Sequence, residues 1–137
     1  MFEFNGWTVL RYHTHDDNTD LQESKINALK AYLKKIDTEN VTVLKSRNGL
    51  DSLLISGLHN HYQSYVIDIY HWIASNMPGS YGLLYIHDDE DKNEKFDNSN
   101  NFTVWKLTRG TLIRDEDLYL SPCIPTIEDE FDYAREE

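Results

Sequence analysis

Val41-Thr42-Val43-Leu44-Lys45-Ser46-Arg47-Asn48-Gly49-Leu50-Asp51-Ser52-Leu53-Leu54-Ile55-Ser56-Gly57 decides the fold. Two β-prone runs, 41–47 and 50–57, flank one Asn-Gly pair. A two-residue type I′ turn needs positive φ at both central positions, and Asn followed by Gly meets that need at least steric cost. The segment is expected to be a β-hairpin. Its neighbours must supply partners, because an isolated hairpin is marginal in water.

Working outward, Tyr62 to Met77 places Val66, Ile69, Tyr70, Ile73, Ala74 and Met77 at helical spacing, and Pro78-Gly79 stops the run. Tyr81 to His87 follows, apolar at odd and even positions alike, which is the pattern of a central strand covered on both faces. On the other side of the hairpin, residues 19–36 place Ile26, Leu29, Leu33 and Ile36 on one helical face. Thr19 is expected as the N-cap, with Gln22 closing a capping box. Lys30, Lys34 and Lys35 suit the C-terminal end of the helix dipole.

Residues 2–12 read as the first strand, with Phe2, Phe4 and Val9 apolar and Gly6 marking a bulge or a close backbone approach. An acidic, Asn-rich loop from Asp88 to Asn101 precedes a strand over Phe102–Arg109. Thr111 to Leu120 leaves room for one more short strand, and the tail from Ser121 reads as irregular. The order is β-α-β-β-α-β-β. It describes an α+β class, with two helices on one face of a mostly antiparallel sheet of five or more strands. The first six elements match the ferredoxin-like arrangement. A length of 137 residues fits one domain over 1–137.

The charge narrows the partners. The chain carries a net −11, and it is uneven: residues 1–87 hold 7 basic and 9 acidic residues, residues 88–137 hold 6 and 15. Such a surface repels nucleic acid, whose affinity comes from Lys and Arg on phosphates, and attracts basic proteins. Solubility alone is the plainer reading of the same count. The single Cys123 offers neither a disulfide nor a thiolate metal cluster and fits a reducing compartment. Met1-Phe2-Glu3-Phe4 opens without the basic start of a secretory signal, and no apolar run reaches membrane-spanning length. A cytoplasmic protein acting away from membranes is expected.

The candidate chemistry is weak throughout. His59 and His61, with the His13/His15 pair and the acids from Asp88 to Asp91, sketch a His/carboxylate metal site and hence a metal-dependent hydrolase. Polar residues at strand ends are the stronger reading, since no His-Glu-x-x-His helix signature accompanies them. Asp88 to Asp91 lacks the ligand spacing of a calcium loop. Cys123, held between Pro122 and Pro125, reads as a buried structural thiol rather than a nucleophile. Ser56 and Ser80 sit in no nucleophile elbow, and Gly79 to Gly82 lacks the lysine of a phosphate loop. Trp7, Trp72 and Trp105 each read first as packing, although an exposed one would serve as an interface anchor. No catalytic residue, cofactor or metal is expected.

Four strings then stand out together: Glu3–Thr8, Ile55–His61, Pro78–Ile86 followed by Asp88–Asp91, and Leu120–Glu130. In this order, over almost the whole chain, they resemble the Immunity protein 7 family of bacterial polymorphic toxin and contact-dependent inhibition systems. The resemblance implies an α+β immunity protein that binds and neutralises a cognate toxin domain in the producing cell, with no catalytic residues to transfer. Many toxins of such systems are nucleases with basic surfaces, which an acidic partner would engage as a monomer in a 1:1 complex. The expected toxin-facing acids are Asp88, Asp89, Glu90 and Asp91, then Asp115, Glu116 and Asp117, then Glu128, Asp129 and Glu130, continuing to Asp132. The glycines and prolines of the matching strings look like fold determinants, so an interface in the 92–101 loop or the first helix stays open. A non-catalytic acidic adaptor is the remaining alternative.

Overall fold

The computed structural model describes residues 1–130 and 132–134. Its elements run β1 (Phe2–Val9), α1 (Thr19–Ile36), β2 (Thr42–Arg47), β3 (Leu50–His59), α2 (Tyr65–Asn76), β4 (Tyr81–Asp88), β5 (Thr103–Thr108) and β6 (Thr111–Glu116). The strands form one sheet in the order β2-β3-β1-β4-β5-β6, with every neighbouring pair antiparallel. The first four strands keep the split βαβ order of a ferredoxin-like core, and the β5–β6 hairpin extends it. No described helix is long and apolar enough to cross a membrane.

The expected hairpin is β2–β3. Arg47 pairs with Leu50, and the turn takes Asn48 at φ 52° and Gly49 at φ 77°. A second turn of the same kind, Arg109 at φ 49° and Gly110 at φ 76°, joins β5 to β6. The final strand is shorter than the 111–120 segment allowed, because Asp117 turns inward where it ends. The second helix starts at Tyr65 rather than Tyr62, since Tyr62 sets its ring edge-on against Phe2, centroids 5.2 Å apart.

The cap of α1 also differs from expectation. Asn18, extended at φ −78° and ψ 113°, accepts from the amides of Asp20 and Leu21 through its Oδ1. Gln22 does not close a capping box. Its amide donates to the Leu10 carbonyl and to Asp51, and its Oε1 accepts from the Tyr12 amide, tying the helix to the end of β1 and the start of β3. The Gln22 side chain thus uses both its amide donors and its carbonyl acceptor outside its own helix.

Both helices lie on one face of the sheet. Strand alternation sends Phe2, Phe4, Leu53, Ile55, Leu84, Ile86 and Leu107 to that face. There they meet Leu29 and Leu33 of α1 and Ile69, Tyr70 and Ile73 of α2 in a fully or nearly fully buried core. Between the helices, Tyr32 stacks on Trp72 at 5.2 Å and 15°. Tyr70 reaches furthest into the sheet. Its hydroxyl donates to the Leu83 carbonyl at 3.0 Å, directly over Gly6, where an added Cβ would lie 2.4 Å from that hydroxyl. Gly6 is therefore the close approach, and pairing runs through it on both sides without a bulge. Burial pushes the Tyr70 phenol well above its ordinary range.

Two stability outcomes follow from this packing. Asn18→Ala is expected to cost about 1 kcal/mol, the usual cost of a lost N-cap, whereas Thr19→Ala stays within about 0.5 kcal/mol; urea unfolding midpoints check both. Gly6→Ala forces a methyl against the Tyr70 hydroxyl and the Leu83 carbonyl, and is expected to destabilise by roughly 1–3 kcal/mol on the same assay.

Candidate functional site

The expected acids separate into groups with different duties. Around the turn after β4, Asp91 pairs with Arg114 at 2.8 Å and accepts from Asn98 at 3.0 Å. Glu90 meets His61 at 2.6 Å, and Asp88 accepts the Glu90 amide at 3.0 Å. The Met1 amine donates to Asp89 at 2.6 Å, which holds that carboxyl below its usual range. This turn is a cross-linked acidic corner of the sheet.

Asp115 and Glu116 are exposed at the end of β6, on opposite faces of the strand. Asp117 beside them is not part of the surface: it is only 6% exposed. It accepts from the Tyr85 hydroxyl at 3.0 Å and from the amides of Tyr119 and Leu120. Burial first, and then this bond, raise the Tyr85 phenol above its ordinary value. Glu128 accepts the Ser121 amide at 2.6 Å, and that backbone bond holds its carboxyl below its ordinary 4.5. Asp129 and Glu130 lie in the exposed tail beyond it, as does Asp132; residues 131 and 135–137 fall outside the described residues. Asp117 and Glu128 thus pin the tail.

The tail crosses one end of the sheet face that the helices leave open. His87 belongs to that face, yet is 1% exposed. Its Nε2 lies 2.7 Å from the Ser99 carbonyl, and the Phe102 ring meets it edge-on. Cys123 Sγ lies 4.0 Å from the same nitrogen. Cys123 itself is exposed, which corrects its reading as a buried thiol: the tail lies over the sheet, and its own outer side meets solvent.

The two histidine pairs do not converge on one site. His59 stacks on Phe4 and its Nε2 bonds the Tyr65 hydroxyl at 2.7 Å, while His61 turns to Glu90. His13 Nδ1 accepts the amides of His15 and Asp16. Among the described residues, no three His, Cys, Asp or Glu side chains are grouped to hold a metal ion. A shallow groove of about 410 Å³ between α1 and the β2–β3 hairpin brings together Gln22, Glu23, Lys30, Ser46 and Asp51, with no histidine or cysteine in its lining.

Residues 1–129 match the family model of Immunity protein 7. The chain belongs to that family. No curated protein and no solved structure matches it. Immunity proteins act on a toxin, and the strings that resemble the family serve the fold in this Immunity protein 7 chain. The first is β1 with Gly6, the second ends β3, the third leads into β4, and the fourth is the pinned tail.

The residues that sequence reasoning missed are those of the open face beyond the tail. Trp7 is the tryptophan that stands at the surface, 43% exposed there, as the interface-anchor alternative requires, while Trp72 and Trp105 pack on the core. The doubly apolar pattern of β4 predicts cover on both faces. The helices cover one; Phe102, Ser99, Asp117 and Cys123 close in on the Tyr85–His87 end of the other, and Tyr81 stands exposed. The signal was that very pattern in β4, which marks an apolar second face without saying what covers it.

The Glu128 bond sets a pH dependence for the tail. A carboxyl with a folded pKa below its unfolded 4.5 contributes stability that is present above that value and lost as pH falls through the folded one. Protection of the Ser121 amide from hydrogen exchange is expected above pH 4.5 and to fade below it, and Glu128→Gln is expected to remove that acid-dependent step.

Proposed function

We propose that this chain binds and neutralises a cognate toxin domain in the cytoplasm of the producing cell, as one immunity domain in a 1:1 complex, by occupation rather than by catalysis. The toxin is a nuclease of a contact-dependent or related polymorphic system. Family membership carries this reading. The net −11, concentrated in residues 88–137, supports the nuclease assignment. A nuclease presents basic residues where it holds phosphates, and an acidic protein competes for that surface and speeds the encounter.

Asp115, Glu116 and Glu130 are exposed acids of the expected set, and the 88–91 corner adds Asp89 and Glu90 at the surface. Their field acts before contact, so its signature is an association rate that falls with salt. The test is co-expression with the toxin domain encoded beside this chain, followed by binding at two salt concentrations. Protection of the host and tight 1:1 binding that weakens with salt are expected. Asp115→Asn, Glu116→Gln and Glu130→Gln together are expected to slow association by about 10-fold at low salt. Binding indifferent to salt and to these changes would overturn the electrostatic part. No binding to a neighbouring product would return weight to an acidic adaptor.

A further inference from the structure

The open face of the sheet carries a row of side chains that runs across all six strands. Register places Val43, Leu54, Trp7, Leu83, Lys106 and Ile113 side by side in that order. Five of the six are apolar or aromatic. Val43 is 51% exposed and Ile113 50%, at opposite edges of the sheet, and Trp7 stands at the centre with the Tyr81 ring edge-on at 6.3 Å. Contiguous apolar surface of this kind on a highly charged protein marks an interaction site.

The charges around the row differ from the rest of the molecule. The same face carries Lys45, Arg47 and Lys106 against Glu3 and Asp115, close to balance on a chain of net −11. The bases of β2 stand toward one end of the strands and the two acids toward the other, beside the acidic corner.

Resting on the reading of the chain as a toxin-binding immunity protein, we infer that this row is the docking surface for the toxin domain, with Trp7 as its anchor. A second copy is the wrong occupant, because two chains of net −11 repel as they approach within the reach of their screened charges. The fitting partner has an apolar patch for the row, basic residues facing Glu3 and Asp115, and an acid facing Lys45 and Arg47.

Size agrees with this division of labour. Six strands about 4.8 Å apart and roughly five residues of strand give a face on the order of 500 Å². A stable interface takes about 800 Å² from each partner. The toxin therefore also covers the adjoining acidic corner, whose charges steer association while the row holds the complex together. Steering sets the on-rate, and a buried aromatic anchor sets the off-rate.

The test is rate measurement between the full chain and the adjacent toxin domain. Trp7→Ala is expected to raise the dissociation rate by about 30-fold or more, the usual mark of an aromatic anchor, and to change the association rate by less than about 3-fold. Ile113→Glu, at an exposed edge position that tolerates the change without refolding the sheet, is expected to weaken binding in the same sense. Leu21→Ala, equally exposed but on α1, is expected to leave both rates unchanged. Wild-type binding with Trp7→Ala and Ile113→Glu both unaffected would overturn the docking face and leave the immunity function standing. A wild-type dimer in sedimentation that Trp7→Ala dissolves would overturn the choice of occupant. Failure of the wild type to bind the toxin would overturn the underlying function, and the docking face with it.

Discussion

β1 is hydrogen-bonded along both sides, to β3 and to β4, and the rest of the structure is arranged around that strand. Phe2 and Phe4 on its inner side fill the space beneath the helices, and Gly6 lets the Tyr70 hydroxyl come down to the Leu83 carbonyl at the β1–β4 seam. A buried phenol without a partner would be costly, and here the sheet itself supplies one. The contact locks α2 to the centre of the sheet and so fixes which face the helices cover.

Two helices cannot cover both faces of six strands. One face is dry and packed; the other is left to whatever the chain has remaining. The chain spends its tail there, but only at one end. Asp117 and Glu128 accept backbone amides that a tail without regular structure would otherwise leave to solvent; Phe102 meets the rings of His87 and Tyr85, Ser99 and Cys123 approach His87, and Asp117 takes the Tyr85 hydroxyl. Several acids that look like partner surface in the sequence are thus held by internal bonds. Among the acids expected at that surface, Asp115, Glu116 and Glu130 stay exposed, and Arg114 of β6 ties its strand to Asp91 of the 88–91 corner.

Membership of the Immunity protein 7 family fits this architecture. A binding protein needs a rigid face and a field, and it needs no convergent set of nucleophile, base and metal ligands. The histidines that suggested such a set are distributed among separate local tasks: His59 on Phe4 and Tyr65, His61 on Glu90, and His13 on its own loop. Short-range spacing brought them together on paper, and the end of β3 at His59 parts them.

The sequence by itself determined the elements and their class. Asn48-Gly49 specified a hairpin because few residue pairs accept two positive φ values, and the helical spacing of Leu29, Leu33, Ile69 and Ile73 specified two amphipathic faces. These are local properties, written in residues close together in the chain. Tertiary structure decided the rest: that Asn18 rather than Thr19 caps α1, that Cys123 meets solvent, that Asp117 is inside, and that Trp7 is outside. The last three depend on which distant segment lies opposite; the cap follows from the extended backbone at Asn18, which aims its side chain at the Asp20 and Leu21 amides. Alternation along β4 shows two apolar faces, but only the placement of both helices on one side, pinned by Tyr70, leaves the Trp7 row uncovered.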